Sequence, residues 1–424
     1  MQTDLQRTNF RHLYWDVIWF GVLTGSTMTF LAVFASRQGA SPLQIGLLTA
    51  GPALINLFLS LPVGRWLENR SLTRITYLAA FWHRLPYFLL ILIPAAFAPT
   101  IQILFLILVI VVMSLPGAVL AIAFNAMFAD VVSPELRGEV VGRRNALLAV
   151  SIAASSLGSG QILDRAAFPV NYQIVFGLGS FGAMMSTYHL WRIRSGSTQT
   201  PTRIGKPLLD YARPGLIRFP DVFRASVGLR FLTRGRGKPL LRLDILRGAF
   251  GKFMFACLIL YAVQYVPIPL FPIYYVNVLH LTDGEISLGS SLFYTSMLLT
   301  SLQIRWLTTR FGHRWILLMG AMIFSAYPLL LGLARDSRLF WAASFSAGVV
   351  WALVNAGLVN RLMGLARDDD RPAHMALHNL VLNTGILAGS IIGPELLGGM
   401  DLRQAVLLSA VLRFLGGLSF IPWG

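Results

Sequence analysis

Apolar stretches long enough to cross a bilayer recur from one end of this 424-residue chain to the other. A ~30 Å hydrocarbon core needs about 20 residues of helix. Spans are read at 12–35, 43–64, 75–97, 101–128, 145–164, 171–191, 253–277, 286–304, 315–334, 339–360, 376–397 and 404–423. In lipid every backbone N–H and C=O must be satisfied within the chain, so segments of this length cross as α-helices. The expected fold is an all-α integral membrane protein with twelve transmembrane helices. Charged residues form only 12% of the chain, about half the share of a soluble domain, and no soluble domain is left over. The first stretch is far longer than the apolar core of a secretory signal and contains Asp16, so it is expected to be retained as a span.

The net charge of +17 invites a nucleic-acid reading, but its placement points elsewhere. With the N-terminus inside, Arg37, Arg165, Arg335, Arg338 and Arg403 fall in outward turns, and Arg84 and Arg413 lie within spans. All other Lys and Arg are on the inner side. Such an asymmetry orients membrane proteins and accounts for the charge without a nucleic-acid reader. Both termini are expected in the cytoplasm of a cell-membrane protein. The one cysteine, Cys257, has no partner for an internal disulfide.

A duplication divides the chain. Arg65-Trp66-Leu67, Arg70 and Arg74 return 240 residues later as Arg305-Trp306-Leu307, Arg310 and Arg314. Arg137, Asn145, Ser151, Ser155 and Ser159 return 234 residues later as Arg371, Asn379, Gly385, Gly389 and Gly393. Small residues four apart let helix backbones approach closely in lipid, so each half is expected to use the same packing face. Two pseudo-symmetric six-helix bundles are expected, residues 1–194 and 253–424, joined by a basic cytoplasmic linker, 195–252. The linker's prolines exclude one long helix, and a short amphipathic piece from Val222 to Leu232 would lie on anionic lipids.

Six plus six spans with these inner turns resembles the major facilitator superfamily. That family's turn after the second span has a glycine, an acid, a second glycine and basic residues at set spacing. Gly64, Glu68 and Arg70 match part of it, and Arg310, Gly312 and Arg314 match its later part; these are the gating-turn candidates. The resemblance implies a transporter whose first, fourth, seventh and tenth spans line a central cavity, working as a monomer on a small-molecule substrate.

The resemblance places Asp16 on a cavity-lining span. An acid within a span is costly; here it is either a proton or cation carrier or the counter-charge of an arginine such as Arg84, which lies near the midplane. Arg413 has Glu395 as the nearest intramembrane acid in sequence, so Asp16, Arg84 and Glu395 are the coupling candidates. Pro267, Pro269 and Pro272 must break the seventh helix, which only a cavity wall tolerates. Gln264, Tyr265, Tyr274 and Tyr275 flank the break, and Trp351, Asn355 and Asn125 add polar positions on the tenth and fourth spans. With Asp16 the one expected charge on these walls, the substrate reads as neutral or amphipathic. Gly393-Pro394 followed by Gly398-Gly399 is a stretched relative of the family's export signature, and efflux is the expected direction. Asp368-Asp369-Asp370 reads as a set of helix N-terminal acids, and no phosphate loop or zinc spacing occurs. No enzyme, cofactor or metal is expected; a lipid flippase on the same fold is the alternative function.

Overall fold

The computed structural model describes residues 4–67, 70–195, 243–366 and 371–423. Twelve long helical elements occupy the expected spans. In the first half these are α1 (Asp4–Arg37), α2 (Pro42–Trp66), α3 (Leu72–Ala96), α4 (Pro99–Val131), α5 (Pro134–Arg165) and α6 (Val170–Arg192). In the second they are α7 (Gly248–Asn277), α8 (Asp283–Phe311), α9 (His313–Leu333), α10 (Ser337–Leu365), α11 (Arg371–Leu397) and α12 (Leu402–Leu418). The protein is thus an all-helical membrane protein of two six-helix bundles. Ten of the elements are recognisable as spans by length and hydropathy alone. Helices α6 and α8 are diluted by Ser, Thr and Gly, and buried Ser287, Ser291, Ser296 and Ser301 of α8 face neighbouring helices. The amphipathic piece at Val222–Leu232, most of the linker, Glu68 and Asp368–Asp370 lie outside the described residues.

Helix α5 corrects one sequence boundary. It begins at Pro134, three turns before the expected position, so Arg137 and Arg144 belong to a helix and are buried. The end of the molecule that carries both chain termini is called here the terminal end. There the Asn9 amide donates to the Arg194 carbonyl at 2.8 Å, tying α1 to the segment after α6. The opposite end is the distal end.

Each half has a pair of helices, related by the repeat, that meets through small residues. In the first half α1 carries the glycines: a Cβ built on Gly21 would fall 2.5 Å from the Cβ of Ser151 on α5, and one on Gly25 would collide with Ser155 and the Ile152 carbonyl. The Ser155 hydroxyl donates to the Gly21 carbonyl at 3.1 Å. In the second half α11 carries them: a Cβ on Gly385 would meet Tyr261 of α7 at 2.5 Å, and one on Gly389 would meet Tyr265 at 2.8 Å. The positions correspond by the same displacements of 240 and 234, with the small partner moved to the opposite helix. Helices α5 with α8 and α2 with α11 then join the halves.

Overpacking such a contact costs about 1–3 kcal/mol, more where backbone opposes it. Gly389→Leu is therefore expected to lower the melting temperature clearly, whereas Gly364→Leu, where a Cβ meets nothing within 4 Å, leaves it near the parent. Equal melting curves for the two variants would contradict the packing described.

Candidate functional site

A cavity of about 320 Å³ lies at the junction of the halves. Thr29, Ala32 and Val33 of α1 form one wall, and α7, α8, α9, α10 and α12 form the rest. A π-helical turn, Thr24–Met28, interrupts α1 immediately before that wall. Such a turn inserts an extra residue into the helix, so the face that packs on α5 through Gly21 and Gly25 gives way to a face turned toward the second half.

The proline-rich break of α7 builds the opposite wall. Its helical segments run Gly248–Tyr265 and Leu270–Asn277. In an unbroken helix the Gln264 carbonyl would accept from the Ile268 N–H. Here Ile268 turns back to the Tyr265 carbonyl at 3.3 Å, and the freed Gln264 carbonyl accepts from Nη2 of Arg413 on α12 at 2.6 Å. The Arg413 guanidinium also lies 5.4 Å from the Phe271 ring centroid and 5.0 Å from that of Phe324, a cation–π arrangement. Beside it the Tyr275 and Tyr327 hydroxyls share a hydrogen bond.

Of the residues expected on the wall, Gln264, Tyr275 and Trp351 line this cavity. Tyr265 is buried against Gly389, and the Tyr274 hydroxyl donates to the Gly332 carbonyl at 3.4 Å. Asn355 is buried in α10 outside the cavity lining, and Asn125 donates to its own helix at the Ala121 carbonyl, 3.0 Å away. Arg413 does not pair with Glu395, the nearest acid within a span in sequence. Glu395 is exposed near the distal end of α11, and the proline break supplies the acceptor in its place. The charge on the cavity wall is Arg413 rather than Asp16.

Asp16 sits in the core of the first half, 3% exposed. Arg144 of α5 donates to it at 3.0 Å, Arg84 of α3 is paired at 3.8 Å, and the Ser186 hydroxyl of α6 donates at 2.5 Å. Arg84 also donates to the Thr187 hydroxyl at 3.1 Å, and Arg144 to the Leu13 carbonyl at 3.3 Å. One carboxylate thus ties together four of the six helices of its bundle and offsets two buried cations.

At the distal end, contacts between the halves close over the cavity. Arg37, at the end of α1, donates through Nε and Nη2 to Asp283 at 3.0 and 2.9 Å, and through Nη2 to the Leu281 carbonyl at 3.0 Å. The Tyr172 hydroxyl donates to Asp283 at 3.3 Å. Asp164 of α5 accepts from the Gly284 N–H at 3.0 Å and from the Thr282 hydroxyl at 3.1 Å, at the N-terminus of α8, where a carboxylate is favoured. One to two turns in, the Thr49 hydroxyl of α2 donates to that of Ser390 on α11 at 2.9 Å.

The family model for the Major Facilitator Superfamily matches residues 18–255 and 253–423. The chain belongs to the Major Facilitator Superfamily. A solved structure of a mutant of the nucleoside transporter NupG superposes with a TM-score of 0.70 at 11% identity, covering 98% of this chain and 99% of that one. The human organic anion transporter MFSD10 (TETRAN) superposes at 0.62 with 12% identity, covering 99% and 100%. At such identities the likeness concerns the fold. Curated proteins give no sequence match. A superfamily transporter, rather than an enzyme, is what these findings indicate.

The superfamily turns after α2 and α8 share a geometry here. Arg70 lies over the Trp66 ring at 4.2 Å and Arg310 over Trp306 at 5.8 Å. Gly64 is buried in α2, and Gly312 takes φ +77° between α8 and α9, a conformation that favours glycine. Arg314 donates to the Ile421 carbonyl at 3.2 Å. The distal residues Arg37, Asp164, Tyr172 and Asp283 went unnoticed in the sequence as a set. The available signal was opposite charges at helix ends in the two halves, at positions that a twelve-span topology puts on one side.

Removing one partner of a buried charge pair costs about 3–5 kcal/mol. Asp16→Asn is expected to lower the melting temperature and yield, and Asp16→Asn/Arg144→Gln to recover part of the loss. An Asp16→Asn protein that melts like the parent would contradict the counter-charge role.

Proposed function

We propose that this protein is a secondary active transporter that carries a small amphipathic solute across the cell membrane by alternating access, with both termini in the cytoplasm. The observation that carries the reading is the position of the cavity. It lies between α1 of one half and five helices of the other, beneath contacts that join the halves at the distal end. A solute there reaches the distal side only when those contacts part. They are hydrogen bonds and one ion pair between helix ends, which two rigid bundles can break and remake without unfolding. The inward bias of Lys and Arg supports a cytoplasmic terminal end. The reading includes efflux in exchange for protons; its support is the export-like Gly393-Pro394 element, whose glycine packs on Val266 at the α7 break.

Thr49→Cys/Ser390→Cys tests the reading, because the native Cys257 is buried and does not compete. In proteoliposomes screened with a panel of amphipathic solutes, oxidation of this pair is expected to reduce flux to the level of empty vesicles, and reductant to restore it. Undiminished flux through fully cross-linked protein would contradict alternating access at this seam. Dissipating a proton gradient is expected to abolish accumulation; accumulation that persists would remove the proton-exchange part alone.

A further inference from the structure

We infer that the cavity beneath the distal contacts takes a singly charged organic anion with an aromatic body, its anionic group held by Arg413. The inference deepens the transport reading and rests on this cavity being the solute site. Arg413 is 3% exposed and is the one charged residue among those lining the cavity. Its Nη2 is committed to the Gln264 carbonyl, and among the described residues its buried Nε has no hydrogen-bond partner.

Among the described residues Arg413 forms no ion pair. Asp283, the acid at the head of α8 just distal to the cavity, is occupied by Arg37 and Tyr172, and Glu395 is exposed. A buried guanidinium left with a carbonyl, two ring faces and neighbouring tyrosine hydroxyls is short of a counter-charge. A carboxylate entering the cavity beside Arg413 supplies that counter-charge. Arg84 and Arg144 in the first half are buried to a similar degree, but there the chain provides Asp16. In the second half the position corresponding to Asp16 by the 240-residue repeat is Ala256.

The remaining wall sets the rest of the solute. Phe271, Phe293, Phe324, Tyr327 and Trp351 offer ring faces and edges, which suit a flat apolar body. One guanidinium with one Nη engaged matches one negative charge. A phosphate monoester would leave its second charge against rings, and an amine would face repulsion without an acid on the wall. A volume of about 320 Å³ admits one ring and a short chain, at the small end of ligand pockets.

The test uses the full-length protein and three probes of one shape: hydrocinnamate, its amide, and phenylpropylamine. Calorimetry on the parent is expected to show the anion bound at least ~tenfold tighter than the amide, with no binding of the amine. Arg413→Gln should bring the anion-to-amide ratio to about one, and Arg413→Lys should keep part of the preference. If Arg413→Gln does not fold, the parent series decides. Equal binding of anion and amide, a preference that survives Arg413→Gln, or no binding of any probe at ~10 mM would overturn the inference. Flux assays separate it from the transport reading. Anion and amide carried equally would sink this inference and leave transport standing; Arg413-dependent binding without flux would do the reverse.

Discussion

Close backbone approach between helices is the constraint on which the rest of this structure depends. Lipid tails are as apolar as leucine, so no hydrophobic force drives one spanning helix against another. Association must come from dispersion at short range and from interhelical hydrogen bonds. Gly21 and Gly25 bring α1 onto α5, and Gly385, Gly389 and Gly393 bring α11 onto α7. These seams make each half a packed unit. The same device works between the halves, where Gly46 approaches the Ser390 carbonyl and Gly160 approaches Ser287. A contact made of small side chains and a few hydroxyl bonds holds a position closely, yet its area and desolvation cost are small, as befits a surface that must part.

The two halves solve the problem of buried charge differently. In the first, Arg84 and Arg144 are offset by Asp16, and the resulting network ties α1, α3, α5 and α6. In the second, Arg144 has His378 as its repeat counterpart, which pairs with the Tyr261 hydroxyl at 2.9 Å. On α12, Arg413 takes the carbonyl released by the α7 prolines. The first half is therefore closed electrostatically by its own residues, while the second leaves its guanidinium facing the cavity.

Much of this was legible in the sequence, for identifiable reasons. Ten of the twelve spans stand out by length and hydropathy alone, and the repeat displacements pointed to the packing seams before any contact was known. The α7 break could be read because proline removes hydrogen bonds wherever it sits. Partners across space were less accessible. Glu395 stands out in the sequence as the acid nearest to Arg413 within a span, whereas the acceptor that holds Arg413 is a backbone carbonyl, which leaves no mark in a residue pattern. Arg144 falls one position before the apolar run expected to form the fifth span, although the helix starts at Pro134. The contribution of α9 to the cavity, through Phe324 and Tyr327, was hidden because aromatic residues in a span look the same whether they face lipid, a neighbour or a solute.

The most direct test of two rigid halves parting at the distal end is a set of spin-label distances on the otherwise thiol-inaccessible protein. Ser41→Cys with Arg335→Cys reports between the halves from exposed distal turns, and Ser41→Cys with Phe168→Cys and Arg335→Cys with Met400→Cys report within each. The account predicts that adding a transported solute shifts population into a second, longer inter-half distance while both intra-half distances keep a single unchanged peak. An inter-half distance that never changes, or a change that appears equally within one half, would contradict it.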